Sequence, residues 1–484
     1  MYLYGALPRR HSAADAVGAA AMLPKLARHD SYRLRFDLEQ HFNAKVYTSG
    51  SAVKGRVVLE AFRDVHFDKL EICLIGVSTT QNFLQHESGI VATPFMKLLM
   101  PLARNSLPPD EVFRAGNDYS FAFNFIVPFH LTIGACRHKC TSPAVREQHL
   151  RPPPTMGFWD VDDQSPQMTQ IRYAISVVAT KKYVSEYLPV RVMEGSYMIR
   201  VLPAFPEDAP LDITSLDDQY ALSKSKTIRK NYVASKLGRL TATAAQPKAL
   251  MLSPDGHAVT GTSCRLKLAF ASTGGDIPPP KINSVSGKLA THTYFDVSFL
   301  NRLPNLGNRR TYEAMSPYEY ATSIRLFTLP MGNMSWKEER SSLEDFMFSP
   351  AEPSSTDQLR RTSAATCPEM SGTSRNYVSD LDIQFTVPDN NKIMYLPTFH
   401  SCRISRAYIL ELSLSLGQTF TTLSLAVPLQ IGVEESHNLP RYERVQFGAE
   451  LAFVGGNELA RRNTDGAIPG AVMNASDNEL PDYY

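Results

Sequence analysis

The side chains best suited to chemistry gather in one stretch, Cys136, His138, Cys140 and His149, where two thiols and two imidazoles could hold a zinc ion. A Cys-x-x-x-Cys pair with no matching second pair reads instead as a loop with incidental thiols, so the expectation is no metal and no cofactor. Asp162 and Asp163 could work as paired acids. Consecutive residues on an extended chain point to opposite faces, however, and the two read as caps of the turn before Ser165-Pro166. The chain has no G-x-S-x-G elbow, no G-x-x-x-x-G-K phosphate loop and no H-E-x-x-H metal pair, so no spacing positions a nucleophile, a phosphate or a catalytic metal. The expected protein is not an enzyme.

Binding chemistry is concentrated toward the end of the chain. Leu439-Pro440-Arg441-Tyr442 and Leu480-Pro481-Asp482-Tyr483 each place a proline two residues before a tyrosine. Proline presets an extended polyproline-type backbone that lies in an aromatic groove at little entropic cost, and WW domains read that combination. Their ligands are usually Pro-Pro-x-Tyr, of which Leu-Pro-x-Tyr is a variant. Two such peptides in one tail can engage tandem WW modules, because tethering raises the effective concentration for the second contact. Further upstream, Arg360-Arg361-Thr362-Ser363 places two arginines before a serine, the arrangement that basophilic kinases bind. A phosphate on Ser363 would add charge and acceptor oxygens, and could dock a 14-3-3 protein.

The composition limits the partners. A chain of 484 residues exceeds what one core usually supports, so two domains with connecting segments are expected. With 50 Lys+Arg against 48 Asp+Glu there is no dominant basic field, which argues against nucleic acid as the main partner. The six cysteines lack the regular spacing of a disulfide scaffold and read as reduced thiols of a cytosolic protein. No apolar run is long enough for a membrane-spanning helix. Arg9 and Arg10 precede a stretch that Asp15 and Pro24 interrupt, so residues 1–30 read as a disordered N-terminal extension and not as a signal peptide.

The elements that must carry these residues are strands. Val53, Gly55, Val57, Leu59 and Ala61 alternate with Lys54, Arg56 and Glu60, as a strand with one face on a core requires. Leu70, Ile72 and Leu74 repeat the pattern, as do Tyr119, Phe121, Phe123, Phe125 and Val127, and then Ile171, Tyr173, Ile175 and Val177. Many short strands separated by turn residues predict an antiparallel sandwich. Between Pro203 and Leu237 the alternation lapses. There Ser215, Asp217 and Asp218, followed by Lys224, Lys226, Arg229 and Lys230, predict one helix with acids at its start and bases at its end, its basic run read mainly as a solvated face and otherwise as a contact for an anionic membrane surface or a phosphorylated partner. A second set of strands follows: Cys264, Leu266, Leu268 and Phe270; Phe295, Val297 and Phe299; Leu381, Ile383, Phe385 and Val387; Tyr408 through Leu416 at alternate positions; and Leu423, Leu425, Val427 and Leu429. Residues 340–376, rich in Ser, Thr, Pro and Glu, lack the apolar content to fold and predict a disordered insertion. The chain therefore divides into residues 1–30, a first sandwich over 31–236, a second over 237–433 and a flexible tail over 434–484.

Over residues 31 to about 433 these strands resemble the arrestin family, specifically the fungal alpha-arrestins. The resemblance rests on Tyr47, Gly50, Val53, Gly55 and Val57; on His149-Leu150-Arg151-Pro152-Pro153-Pro154; on Asp162-Asp163-Gln164-Ser165-Pro166-Gln167-Met168; and on Ile171-Arg172-Tyr173-Ala174-Ile175. In the second half it rests on Leu396-Pro397-Thr398-Phe399, Cys402, Arg406-Ala407-Tyr408 and Val427-Pro428-Leu429. The resemblance implies an all-β fold of two arrestin-type immunoglobulin-like sandwiches and an adaptor that links plasma-membrane transporters or receptors to a WW-domain HECT-type ubiquitin ligase. Cargo would then be ubiquitinated and internalised by a protein that is cytoplasmic and peripherally recruited to plasma membrane and endosomes. Lys181 and Lys182, just beyond a predicted strand, are candidate ubiquitin acceptors on the adaptor itself. The competing expectation is an arrestin-fold scaffold in signalling or endosomal sorting, with no ligase role.

Overall fold

A computed structural model describes residues 31–82, 89–183, 188–229, 236–257, 260–274, 277–307, 317–339, 375–388, 392–417 and 421–436. The expected extension 1–30, all but the last two residues of the insertion 340–376, and the tail beyond residue 436 lie outside these residues. Strands predominate, and among the described residues there is one α-helix, Pro143–His149. Among them, no helix is long and apolar enough to cross a membrane.

In the first half, Tyr32–Leu38, Ala52–Ala61 and Asp118–Ile126 form an antiparallel sheet with Ala52–Ala61 in the centre. The alternation expected from the sequence is what the sheet uses. Val53, Val57, Leu59 and Ala61 are buried while Lys54 and Arg56 face solvent, and Phe121, Phe123 and Phe125 are buried from the neighbouring strand. Phe121 stands directly opposite Val57, and Phe125 opposite Val53. A second sheet runs in the order Val46–Tyr47, Val190–Val201, Thr169–Lys181, Lys69–Asn82, Gly89–Leu99.

The second half repeats these strand orders. Lys236–Ala244, Thr262–Ser272 and Asn376–Phe385 stand side by side as the first three strands do, with Ser223–Arg229 and Lys337–Glu339 added at the two ends. The other sheet sets Tyr318–Pro330 beside Ile282–Phe295, then Ile404–Leu416, to which Phe399–His400 and Thr421–Leu429 also pair. Each half also closes with a short parallel pairing, Val46–Tyr47 on residues 200 and 201 in the first and Leu250–Leu252 on Ile431–Val433 in the second. One continuous apolar cluster takes in all four larger sheets, from Val57 and Ile175 to Leu266 and Leu410. Burial of such surface is the main favourable term in folding.

Two expectations are corrected here. The helix predicted from Ser215 to Lys230 is not formed, because Ser223–Arg229 is a strand antiparallel to Lys236–Ala244. The charge pattern suited a helix, but the apolar residues have no helical period, and Ser223, Ser225 and Thr227 recur with the period of a strand. The hydroxyls of Ser223 and Ser225 bond those of Thr243 and Thr241 across the pair at 2.9 and 2.8 Å. Lys224 and Lys226 then sit on a strand at the end of its sheet, where charge discourages pairing with another chain. The strand expected through Phe295, Val297 and Phe299 ends at Phe295. Asp296 turns the chain by accepting the Ser298 N–H at 2.9 Å, which leaves Phe299 exposed.

If alternation decides burial, truncation should be costly on one face only. Leu410→Ala is expected to lower unfolding stability by about 2 to 5 kcal/mol in urea denaturation, and Lys54→Ala to change it by less than about 0.5 kcal/mol.

Candidate functional site

Two polar clusters interrupt the apolar interior. The first is built by the segment from Leu131 to Leu150, whose ends are joined by the Leu131 N–H donating to the Leu150 carbonyl at 2.7 Å. A single 3-10 turn, Ile133–Ala135, delivers Cys136. The chain then passes His138 and Cys140 to Ser142, which caps the helix Pro143–His149 by accepting the Val145 N–H at 3.3 Å, with Pro143 in the first turn. The helix carries the chain back so that His149, in its last turn, meets the thiols.

Cys136 Sγ lies 3.6 Å from Cys140 Sγ, and each sulfur lies 3.7 Å from His149 Nδ1. His138 Nδ1 is 4.0 Å from Cys140 Sγ, while its Nε2 is buried without a hydrogen-bond partner. One ligand-type atom from each of the four residues falls within 4.8 Å of the others. Cys136 and His149 are buried, and His138 and Cys140 partly so. Burial, helped by His138 and His400 nearby, depresses His149 to about 3, so its imidazole is neutral at physiological pH. Burial also lowers His138 and, with the adjoining Cys136 thiol, raises Cys140 to about 11.

The second half closes over this cluster. The Thr141 N–H donates to the Asn301 carbonyl at 2.8 Å, and the His138 ring stacks on Phe299 with centroids 4.6 Å apart. Arg403 covers the same Phe299 ring at 4.2 Å. Cys402 places its sulfur 3.8 Å from the Ala135 carbonyl. Burial and the neighbouring Cys136 and Cys140 sulfurs push its thiol well above the usual range.

The second cluster centres on Arg406, which is wholly buried on the strand Ile404–Leu416. Its Nη1 donates to the Asp163 carbonyl at 2.6 Å, and its Nη2 to the Gln164 carbonyl at 3.0 Å and the Ser165 hydroxyl at 3.2 Å. Nε and Nη2 both reach Thr293 Oγ1, at 3.2 and 3.0 Å. Gln164 adopts a left-handed backbone, φ 56°, which turns its carbonyl and that of Asp163 toward the guanidinium. Its side chain accepts the Thr291 hydroxyl at 2.8 Å.

Asp162 and Asp163 hold this turn as the sequence suggests. Asp162 accepts the Gln164 N–H at 2.8 Å, and Asp163 accepts those of Gly157 and Ser165 at 2.6 and 3.1 Å. Asp162 also pairs its backbone with Ile393, through Lys392 and Met394. The sequence shows Arg406 only as part of a motif. The available signal is an arginine directly before the apolar run Ala407-Tyr408-Ile409-Leu410.

Lys181 and Lys182 are not brought together with either cluster. Lys181 ends the strand Thr169–Lys181, its Nζ 5.8 Å from the Tyr183 ring centroid, and Lys182 is exposed, its backbone N–H donated to Asp68 at 2.6 Å. Ser363 and both tyrosine motifs, Leu439, Pro440 and Tyr442 with Leu480, Pro481 and Tyr483, lie outside the described residues. No protein-family model matches the chain, and comparison with curated protein sequences finds no match.

Both clusters lead to measurable effects. Arg406→Leu strands buried carbonyl oxygens and is expected to cost about 3 kcal/mol in urea denaturation, with Arg406→Lys recovering only part because one ammonium cannot replace a planar fork. His400, bonded to Ser405 Oγ at 2.5 Å, is depressed to about 4, chiefly by burial. Its unfolded counterpart takes a proton near pH 6.5, so its contribution is complete above that value. It falls away as the pH drops toward 4, by at most about 3 kcal/mol. His400→Asn should make the fall in stability across that window shallower, leaving the share due to His149.

Proposed function

We propose that the protein is an arrestin-like adaptor of the alpha-arrestin type, with each copy of the repeated strand order forming one β-sandwich. In this reading the folded part carries cargo recognition, for a plasma-membrane transporter or receptor, and the tail recruits a WW-domain HECT-type ubiquitin ligase. The protein is then cytoplasmic and peripherally recruited to plasma membrane and endosomes. The observation that carries the proposal is the pair of Leu-Pro-x-Tyr tetrapeptides beyond the last described strand, Ile431–Val433, the first beginning at Leu439. The duplicated strand order and the Arg406 clasp between the halves support the same reading, because a surface spread over two joined modules suits binding a macromolecule. Lys181 and Lys182 are candidate ubiquitin acceptors on this adaptor, and phosphorylated Ser363 a 14-3-3 dock.

Isolated tandem WW domains should capture the full chain, and Tyr442→Ala together with Tyr483→Ala should abolish capture while circular dichroism is unchanged. Undiminished capture by the double variant would overturn the proposal. So would cargo internalisation that survives deletion of residues 434–484.

A further inference from the structure

We propose that Cys136, His138, Cys140 and His149 form a structural zinc site that fastens the segment from Leu131 to Leu150 beneath the second half of the protein. The claim is independent of the adaptor reading. An ion at the centre of a tetrahedron with zinc–sulfur bonds of about 2.3 Å and zinc–nitrogen bonds of about 2.0 Å holds two sulfurs about 3.8 Å apart and a sulfur and nitrogen about 3.5 Å apart. The sulfur pair at 3.6 Å and the two sulfur–nitrogen edges at 3.7 Å lie within about 0.2 Å of those lengths.

The fourth corner falls to His138. Its Nδ1 stands 4.0 Å from Cys140 Sγ and 3.3 Å from the Lys139 carbonyl, and the buried Nε2, which has no hydrogen-bond partner, leaves the ring a nitrogen free to bind. Stacking on Phe299 restricts that ring to small rotations. The donor set is two thiols and two imidazoles, the combination that borderline-soft zinc prefers over harder cations.

Charge and burial fit as well. Two thiolates neutralise the dication, so a partly enclosed site carries no net charge, and the imidazoles enter as neutral ligands. Binding sends the two thiol protons of Cys136 and Cys140 to solvent. With four protein ligands the site is closed, leaving no position for a reacting water, which makes its role structural. Metal would tie the 3-10 turn, the intervening loop and the helix end into one unit. That unit is already bonded to the second half through Thr141, His138 and the Cys402 contact at Ala135.

The test uses the full chain, purified under reducing conditions. Native mass spectrometry should show one zinc per chain with loss of two protons, and cobalt(II) added to the chelator-stripped chain should give thiolate charge-transfer and tetrahedral d–d bands that zinc abolishes. Cys140→Ser and His149→Asn should lose stoichiometric zinc, whereas Cys73→Ser and Cys264→Ser should keep it. No zinc at stoichiometry and no cobalt bands in the unmodified chain would overturn the proposal whatever the variants do. A Cys136–Cys140 disulfide that persists in reductant would overturn it too. Loss of the bands in Cys402→Ser but not in His138→Asn would overturn the ligand set and replace His138 with the thiol from the second half.

Discussion

A guanidinium removed from water has to find oxygen atoms in fixed places, and the arrangement around Arg406 depends on that requirement. Its donors reach two carbonyls and a hydroxyl from residues 163–165 and a threonine on the strand Ile282–Phe295. The turn at 162–165 can present those carbonyls only because Gln164 accepts a left-handed backbone and two aspartates hold the flanking N–H groups. Each piece would be costly alone, whether a buried cation, a strained residue or exposed carbonyls. Together they satisfy one another, and the two halves are held in one register by hydrogen bonds whose geometry leaves little slack.

Around that clasp the fold uses one scheme twice. In both halves a tyrosine on a central strand sends its hydroxyl to a carbonyl of the preceding extended segment: Tyr173 to Pro153, and Tyr408 to Leu396, each at 2.6 Å. Both rings are fully buried, so each hydroxyl must be satisfied locally, and each bond pins a proline-containing segment against its sheet. The repetition extends from strand order to individual side chains. It gives the Cys/His cluster a distinct character, because the 131–150 segment that carries it is an addition in the first half that leans on the second.

Strands with one wet face were legible in the sequence, as Val53 to Ala61 and Cys264 to Phe270 illustrate, because burial there follows a period of two. The strand Tyr318–Pro330 was not, since its residues are mostly exposed or half-buried and no apolar face stands out. The stretch 223–229 was misread because charge placement outweighed the missing helical period. At the Cys/His cluster the spacing between Cys136 and Cys140 was visible, but the approach of His149 depends on a seven-residue helix returning the chain, and spacing alone does not encode that. The role of Arg406 was hidden for a related reason: its partners lie more than a hundred residues away in sequence.

The last described strand has a mechanical consequence. Ile431–Val433 is gripped on both sides, in parallel by Leu250–Leu252 and by a two-way bridge to Phe205, and Glu434 adds a bond to the Leu252 carbonyl. A pull applied along the axis of this strand from the residues beyond it would load these bonds in shear, all at once, where an edge hairpin would peel one bond at a time. Tension from anything bound further along the chain would therefore be taken up at this short joint before it reached the larger sheets.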